Sequence, residues 1–231
     1  MINCLCVIPA RGGSKGVKNK NIRLLNKKPL IEYTIKEAQK VKTITDLIVS
    51  TDSRKIQKIS NKLGVRTPFI RPKKLSTDKA LTYPVILHAL LFMENFKNEK
   101  YDFILVLQPT TPFRNANHIK KSLELIKKSK YDSVVSLVDV GGNHPLRMKT
   151  IVNNKVKNYV NQGFWNMRPR QKLPKVYIRN GCIYLIKRDT FIKEKSMIGN
   201  NCYGMVMNSK ESINIDTDID FKIAEYLHRL K

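Results

Sequence analysis

"CLCVIPARGGSKGVKNKN", residues 4–21, starts as an unbroken apolar run and empties into a loop with three glycines, one arginine and three lysines. A continuous apolar run is what a strand buried on both faces of a parallel sheet requires. The loop that follows is small and positive. Gly12, Gly13 and Gly16 let the backbone approach a ligand closely and turn its N–H groups inward, and Arg11, Lys15 and Lys20 add three cationic arms. A triphosphate suits such a loop; the bland alternative is a flexible, solvated basic loop. Gly-x-x-x-x-Gly-Lys-Ser/Thr is absent, and the spacing of a dinucleotide fingerprint fails, so neither common phosphate motif applies.

Downstream, strands and helices alternate. Pro29 opens a helix with Leu30, Ile31, Thr34, Ile35, Ala38 and Val41 on one face. "DLIVSTD" (46–52) predicts a second strand, and "SRKIQKISNKLG" (53–64) a helix closed by Gly64. A short extended piece, "RTPFIRP", leads to a long helix over 82–96 that tolerates Pro84 in its first turn. "DFILVLQPTTPFR" (102–114) is a buried strand ending in a proline-pinned loop. A helix over 115–130 and a strand over 133–140 follow. This rhythm predicts a mostly parallel, doubly wound α/β sheet with helices on both faces, whose ligands bind at the carboxyl ends of the strands. From about 141 to 175 the pattern breaks. "KTIVNNKVKNYV" predicts a β-hairpin around Asn153-Asn154, and "QGFWNMRPRQKLP" has little periodicity, as in a lid or an interface. Strand character returns with "NGCIYLIKR". In the last helix Thr217 and Asp220 form a capping box, and Phe221, Ile223, Ala224, Leu227 and Leu230 supply an apolar face.

The 231 residues allow one α/β domain with a good core. The net charge of +26 opens nucleic acid, an anionic membrane surface or acidic small molecules as partners. The lysines are scattered over every segment without a basic stripe interleaved with aromatics, which favours plain compositional bias over a nucleic-acid surface. Cys4 and Cys6, two apart in a strand, share a face and lack zinc spacing; with Cys182 and Cys202 they read as reduced thiols of a cytoplasmic protein. The start of the chain lacks a signal peptide's basic region, and no run reaches the length of a membrane span.

"IPARGGSKGVKNKNIRLLNKKPLIEYTI" resembles the opening of the acylneuraminate cytidylyltransferases, the CMP-sialic acid synthetases. Five further blocks resemble the family's later ones in order: "IVSTDS" (48–53), "FIRPKKLSTD" (69–78), "LQPTTPFR" (107–114), "RQKLPKVYIRNGCIY" (170–184) and "INIDTDIDFKIAE" (213–225). The resemblance implies a Rossmann-like nucleotidyltransferase fold (GT-A-like) with a small β-rich dimerisation extension, here 141–175, inserted in a single domain. It implies transfer of CMP from CTP to the anomeric hydroxyl of a nine-carbon 2-keto sugar acid, with release of pyrophosphate. Such transfer needs alignment and neutralised charge more than covalent help. The same reaction on pseudaminic acid or the eight-carbon Kdo stays open, as does, from a different class, a basic nucleic-acid-binding module. The "KVYIRNGCIY" block favours legionaminate or sialate enzymes.

By the same resemblance Arg11 reaches the phosphates and Lys20 lies near the reacting α-phosphate. Gly13, Ser14 and Lys15 shape the phosphate cradle, and Asn21 touches the nucleotide unless it only forms a turn. Arg71 binds the cytidine side. Thr82 lies near base and ribose, or is only the N-cap of the long helix. Gln108 lies between nucleotide and sugar. Arg114 closes its block either in the site or as a partner of the loop backbone. Arg170 and Arg179 are implied for the sugar carboxylate, which arginine forks suit; Arg147 is a third candidate. Asp216 and Asp218 are implied as ligands of Mg2+ (or Mn2+), with Asn214 standing where relatives often carry another Asp. Their alternative is helix capping. His88 and His118 read as structural or surface residues, and His144 as a non-catalytic neighbour of the sugar pocket. The extension is implied to reach a second subunit of a homodimer, with Tyr159, Phe164 and Trp165 as anchors.

Overall fold

A computed structural model of the chain describes residues 3–14, 16–160 and 169–230. Strands and helices follow in the order β1 (Cys4–Pro9), β2 (Leu24–Leu25), β3 (Lys28–Pro29), α1 (Leu30–Gln39), β4 (Asp46–Ser50), α2 (Arg54–Lys62), α3 (Thr82–Lys97), β5 (Phe103–Val106), α4 (Ala116–Lys128), β6 (Ser133–Asp139), β7 (Lys149–Val152), β8 (Lys155–Asn158), β9 (Tyr177–Lys187), α5 (Arg188–Glu194), β10 (Cys202–Val206) and α6 (Asp218–Arg229). Six strands make the main sheet in the order β10-β6-β9-β5-β1-β4. β1 runs parallel to β4 and β5, and β10 parallel to β6. β9 runs antiparallel to both its neighbours. The expected α/β architecture with a mostly parallel sheet is therefore present.

The apolar run of β1 is buried on both sides, as its sequence requires. Cys4, Cys6 and Ile8 face the layer of α1, α2 and α4, where Ile31, Ile35, Ile56, Ile119 and Leu123 pack. The alternate residues Leu5 and Val7 face α3 and α5, through Ile86, Leu90 and Phe191. A third, smaller cluster joins Val17 of the glycine loop, Leu25, Leu30 and Phe113 to Ile215, Phe221 and Ala224. It brings the start of the last helix beside the first loop.

Local signals behave as the sequence predicts. Ser53 caps α2 by accepting from the Ile56 amide, and Gly64 beyond its end has φ +79°. The Thr217–Asp220 capping box is formed. The β7–β8 turn places Asn153 and Asn154 both at positive φ, as a two-residue hairpin turn requires. All eight residues of β7 and β8 are exposed, and the pair forms a sheet of its own. Tyr159, just beyond it, is also exposed, while Phe164 and Trp165 lie outside the described residues.

Four elements escaped the sequence pattern. The seven residues of α5 are too few for a periodicity to show. β10 is a sheet edge interrupted by Gly204, so its sequence lacks the apolar run of the central strands. β2 and β3 are two residues each, joined by Asn26 and Lys27 at positive φ, and Lys rarely signals such a turn. In α6 the expected apolar face is only half used. Phe221 and Ala224 are buried, but Ile223 and Leu230 are exposed.

All four cysteines are free. Burial pushes the Cys4 thiol up from its usual 9.0 to about 12 and holds Cys6 well above 9.0. Below pH 9 both thiols are neutral in either state, so their contribution to stability is whole. As pH rises from 9 towards 12 the unfolded chain ionises first and the contribution is lost. The expected loss is about 1.4 kcal/mol per pH unit per thiol. Unfolding curves from pH 8 to 11 should show it, and Cys4→Ala should flatten the slope; a pH-independent stability would contradict this burial.

Candidate nucleotide site

The loops at the carboxyl ends of β1 and β5, the segment from Arg71 to the start of α3 and the turn at Asn214–Asp216 surround a cleft of about 590 Å³. That is where an open α/β sheet places its ligand. The loop after β1 is fixed from below. The Ala10 amide donates to the Ser50 carbonyl at 2.9 Å, and the Gly12 amide to the Asp52 carboxylate at 2.8 Å. Asn21, 6% exposed, donates from its side-chain amide to the Arg11 carbonyl at 2.9 Å. It thereby ties the two ends of the glycine loop together while also lining the cleft. The turn role and the site position coexist in this residue.

Glycine is needed at 16 for a reason other than a ligand. A Cβ there would stand 2.2 Å from the Asp216 carbonyl oxygen, so the loop can lie against the acidic turn only without a side chain. Gly13 has open space around it. Lys15 lies outside the described residues.

The candidate residues that meet in the cleft are Arg11, Ser14, Lys20 and Asn21 from the first loop, Arg71 and Thr82 from one wall, and Gln108 and Asp216 from the other loops. The Lys20 ammonium donates to the Ile215 carbonyl at 2.8 Å and to the Asp216 carboxylate at 2.9 Å. Arg11 donates to the Asp78 carboxylate at 2.5 Å. Arg71 is 5% exposed. Its guanidinium donates to the Ser50 carbonyl at 2.5 Å, while Nε is buried without a partner among the described residues. Burial lowers its pKa to about 10, which leaves it charged at neutral pH. Thr82 is the first residue of α3 and not its cap. Leu81 holds the cap position and offers no side-chain bond, so the capping alternative fails and the hydroxyl is left exposed at the cleft.

Gln108, at the start of the loop after β5, lies against the bulge of β9. The pairing of β6 with β9 slips between Val135 and Leu137, which leaves residues 180–183 to bow out. Buried polar groups hold that bulge: Ser136 Oγ donates to Asn180 Oδ1 at 2.6 Å and accepts from the Ile183 amide, and Asn180 Nδ2 donates to Ser212. Gly181 sits in the bulge at φ +75°, and a Cβ on it would meet Gln108 Oε1 at 2.5 Å. Arg114 takes the backbone role. It is 1% exposed and donates to the carbonyls of Gln108 and Cys182 and to the hydroxyls of Thr34 and Thr111.

The two aspartates of the last block separate. Asp216 lines the cleft beside Asn214, whose Oδ1 is buried without a partner among the described residues. Asp218 does not line it; it pairs with Arg23, whose guanidinium also lies 4.2 Å over the Phe221 ring. Thr217 and Asp220 make the cap of α6, and Asp218 stands in its first turn, where a carboxylate complements the helix N-terminus. The three arginines expected at the sugar carboxylate do not reach this cleft either. Arg147, Arg170 and Arg179 are exposed, and Arg170 lines a separate hollow of about 360 Å³. His144, 4% exposed, borders that hollow. One ring nitrogen accepts from the Leu146 amide and the other meets the Pro174 carbonyl at 2.9 Å, so it fastens the two legs of the extension. His118 completes the α4 capping box and faces Glu211, and His88 stacks edge-on against Phe69. Asp52 and Asp78 are not among the candidates drawn from the sequence; for Asp52 a carboxylate just beyond a strand end was the available signal, while Asp78 lies in the segment after the turn Lys73–Leu75, where no local pattern marks it.

Residues 5–194 match the family model described as cytidylyltransferase. The chain is 37% identical over 231 residues to a CMP-N,N'-diacetyllegionaminic acid synthase of Campylobacter jejuni, covering 100% of this chain and 97% of that protein. It is 35% identical, with the same coverage, to the post-translational flagellin modification protein B of Campylobacter coli. Among solved structures, a CMP:2-keto-3-deoxy-manno-octonic acid synthetase complexed with CTP shares the fold, with a TM-score of 0.70 at 16% identity over 99% of both chains. The glycine-rich loop, the paired cations of the cleft and the match over most of its length agree: the chain belongs to the cytidylyltransferase family.

Proposed function

We propose that this cytidylyltransferase moves CMP from CTP to the anomeric hydroxyl of a nine-carbon 2-keto sugar acid, releasing pyrophosphate. The observation that carries the reading is the convergence of Arg11, Lys20 and Arg71 on one cleft beside a glycine loop and an acidic turn. Relatives named as CMP-diacetyllegionaminic acid synthases and N-acylneuraminate cytidylyltransferases support the sugar class. Arg11 and the loop amides around Gly13, Ser14 and Lys15 bind the β- and γ-phosphates, and Lys20 meets the charge that grows at the α-phosphate. Asn21 and Thr82 contact the nucleoside end, and Arg71, which lines the same cleft, serves the cytidine side. Gln108 stands between nucleotide and sugar.

The acidic turn fits a divalent cation. Asp216 offers a carboxylate, and the orphaned Asn214 Oδ1 offers a neutral oxygen, the donor type that Mg2+ or Mn2+ takes. When bound there, the ion neutralises triphosphate charge. Asp218, committed to Arg23, is left out of that set. The sugar carboxylate needs Arg147, Arg170 or Arg179, which stand on the extension and on β9 away from their own cleft. A homodimer in which the extension of one subunit completes the sugar pocket of the other satisfies this placement. Among the described residues no helix is long and apolar enough to cross a membrane, which fits work in the cytoplasm.

The test is pyrophosphate release from CTP and Mg2+ against diacetyllegionaminic, N-acetylneuraminic, pseudaminic and Kdo acids. Release is expected with a legionaminic or neuraminic acid and is lost with EDTA. A chain that neither releases pyrophosphate nor binds CTP overturns the reading.

A further inference from the structure

Arg11 and Lys20 are both paired in the cleft, but differently. Lys20 has a side chain 14% exposed and is held twice, by Asp216 and by the Ile215 carbonyl. Arg11 is held by Asp78, 67 residues away, across the mouth of the same cleft, and the two side chains are 32% and 37% exposed. Asp78 belongs to the segment between the short turn Lys73–Leu75 and α3. That segment is anchored at its start by the Arg71 amide on the Thr51 carbonyl, and its later turn closes with the Ala80 amide on Thr77. A carboxylate and a phosphate present the same kind of charged acceptor to a guanidinium fork. A half-solvated pair is also weak enough to be exchanged.

We propose that Asp78 is an internal competitor for phosphate: an anion held on Arg11 that a ligand must displace to use this arginine. The inference rests on the reading of the cleft as a triphosphate site. Displacement costs the same for every ligand that takes Arg11 and nothing for one that does not. Asp78 therefore lowers the affinity of ligands with a pyrophosphate end, CTP and the product pyrophosphate alike, without touching recognition of the nucleoside. The gain is on the product side, since pyrophosphate leaving Arg11 is replaced at once by a tethered carboxylate and does not linger in the site.

The experiment is titration calorimetry of the full chain, without added metal, using CTP, inorganic pyrophosphate and cytidine on wild type, Asp78→Asn and Asp78→Ala. Both substitutions fall on a partly exposed side chain, so the fold is expected to persist, and thermal unfolding of each variant verifies it. In both variants Kd for CTP and for pyrophosphate should fall by a common factor, roughly two- to fivefold, while cytidine is unchanged. Pyrophosphate inhibition of the transfer should strengthen by that same factor. If CTP binds no tighter in either variant, or cytidine tightens equally, the role of Asp78 is refuted while the cleft assignment stands. If wild type binds neither CTP nor pyrophosphate, the cleft assignment itself falls, and this inference with it.

Discussion

Lys20→Ala is expected to slow transfer by about 10²–10³-fold while leaving the protein folded. The lysine stem crosses from the first loop to the acidic turn, so its ammonium is fixed before substrate arrives and needs no reorganisation as charge develops. Removing one such preorganised cation costs on the order of 10²–10³ in kcat, about 3–4 kcal/mol of barrier. The stability cost is small, because Asp216 is 64% exposed and stays solvated when its partner is gone. Lys20→Arg keeps the charge but not the point geometry, and should recover only part of the rate. The discriminating readout is kcat for pyrophosphate release beside the unfolding temperature. A variant within threefold of wild-type kcat would remove Lys20 from the reaction; a large fall in both quantities would make it a structural residue instead.

Arg114→Ala should have the largest effect on stability. Burial lowers the arginine's pKa, so its charge is carried at a cost. Its hydrogen bonds go to neutral oxygens: the Thr34 hydroxyl at 2.6 Å, that of Thr111 at 2.8 Å, and the carbonyls of Cys182 and Gln108 at 3.1 and 3.2 Å. One side chain thus joins α1, the loop after β5 and the bulge of β9. Alanine leaves buried acceptors without donors and a cavity of arginine size. We expect a loss of about 3–5 kcal/mol, or roughly 10 °C in Tm for a chain of this length. Arg114→Lys retains one donor group in place of the fork and should recover less than half. Urea unfolding would measure both. A loss below 1 kcal/mol in the alanine variant would show that the loop and the bulge hold their positions without the arginine.

The sequence alone determined whatever depends on near neighbours. The apolar run of β1, the apolar face of α1, the long helix α3, the Asn153-Asn154 hairpin turn and the Thr217–Asp220 capping box arise from residues no more than about four apart, and each is present. The candidate residues of the cleft were legible from the glycine loop together with the family resemblance of the later blocks. Tertiary structure decided the partners. Arg11 meets Asp78 across 67 residues and Lys20 meets Asp216 across 196, and no local pattern encodes such distances. It also decided that Asp218 serves Arg23, that Thr82 caps nothing, and that Arg147, Arg170 and Arg179 stand away from the cleft of their own chain. The reason is physical. Backbone periodicity is set by the few residues around each position, whereas the pairing of charges is set by the order and direction of strands in the sheet, and only the antiparallel insertion of β9 between β5 and β6 brings its bulge under Gln108.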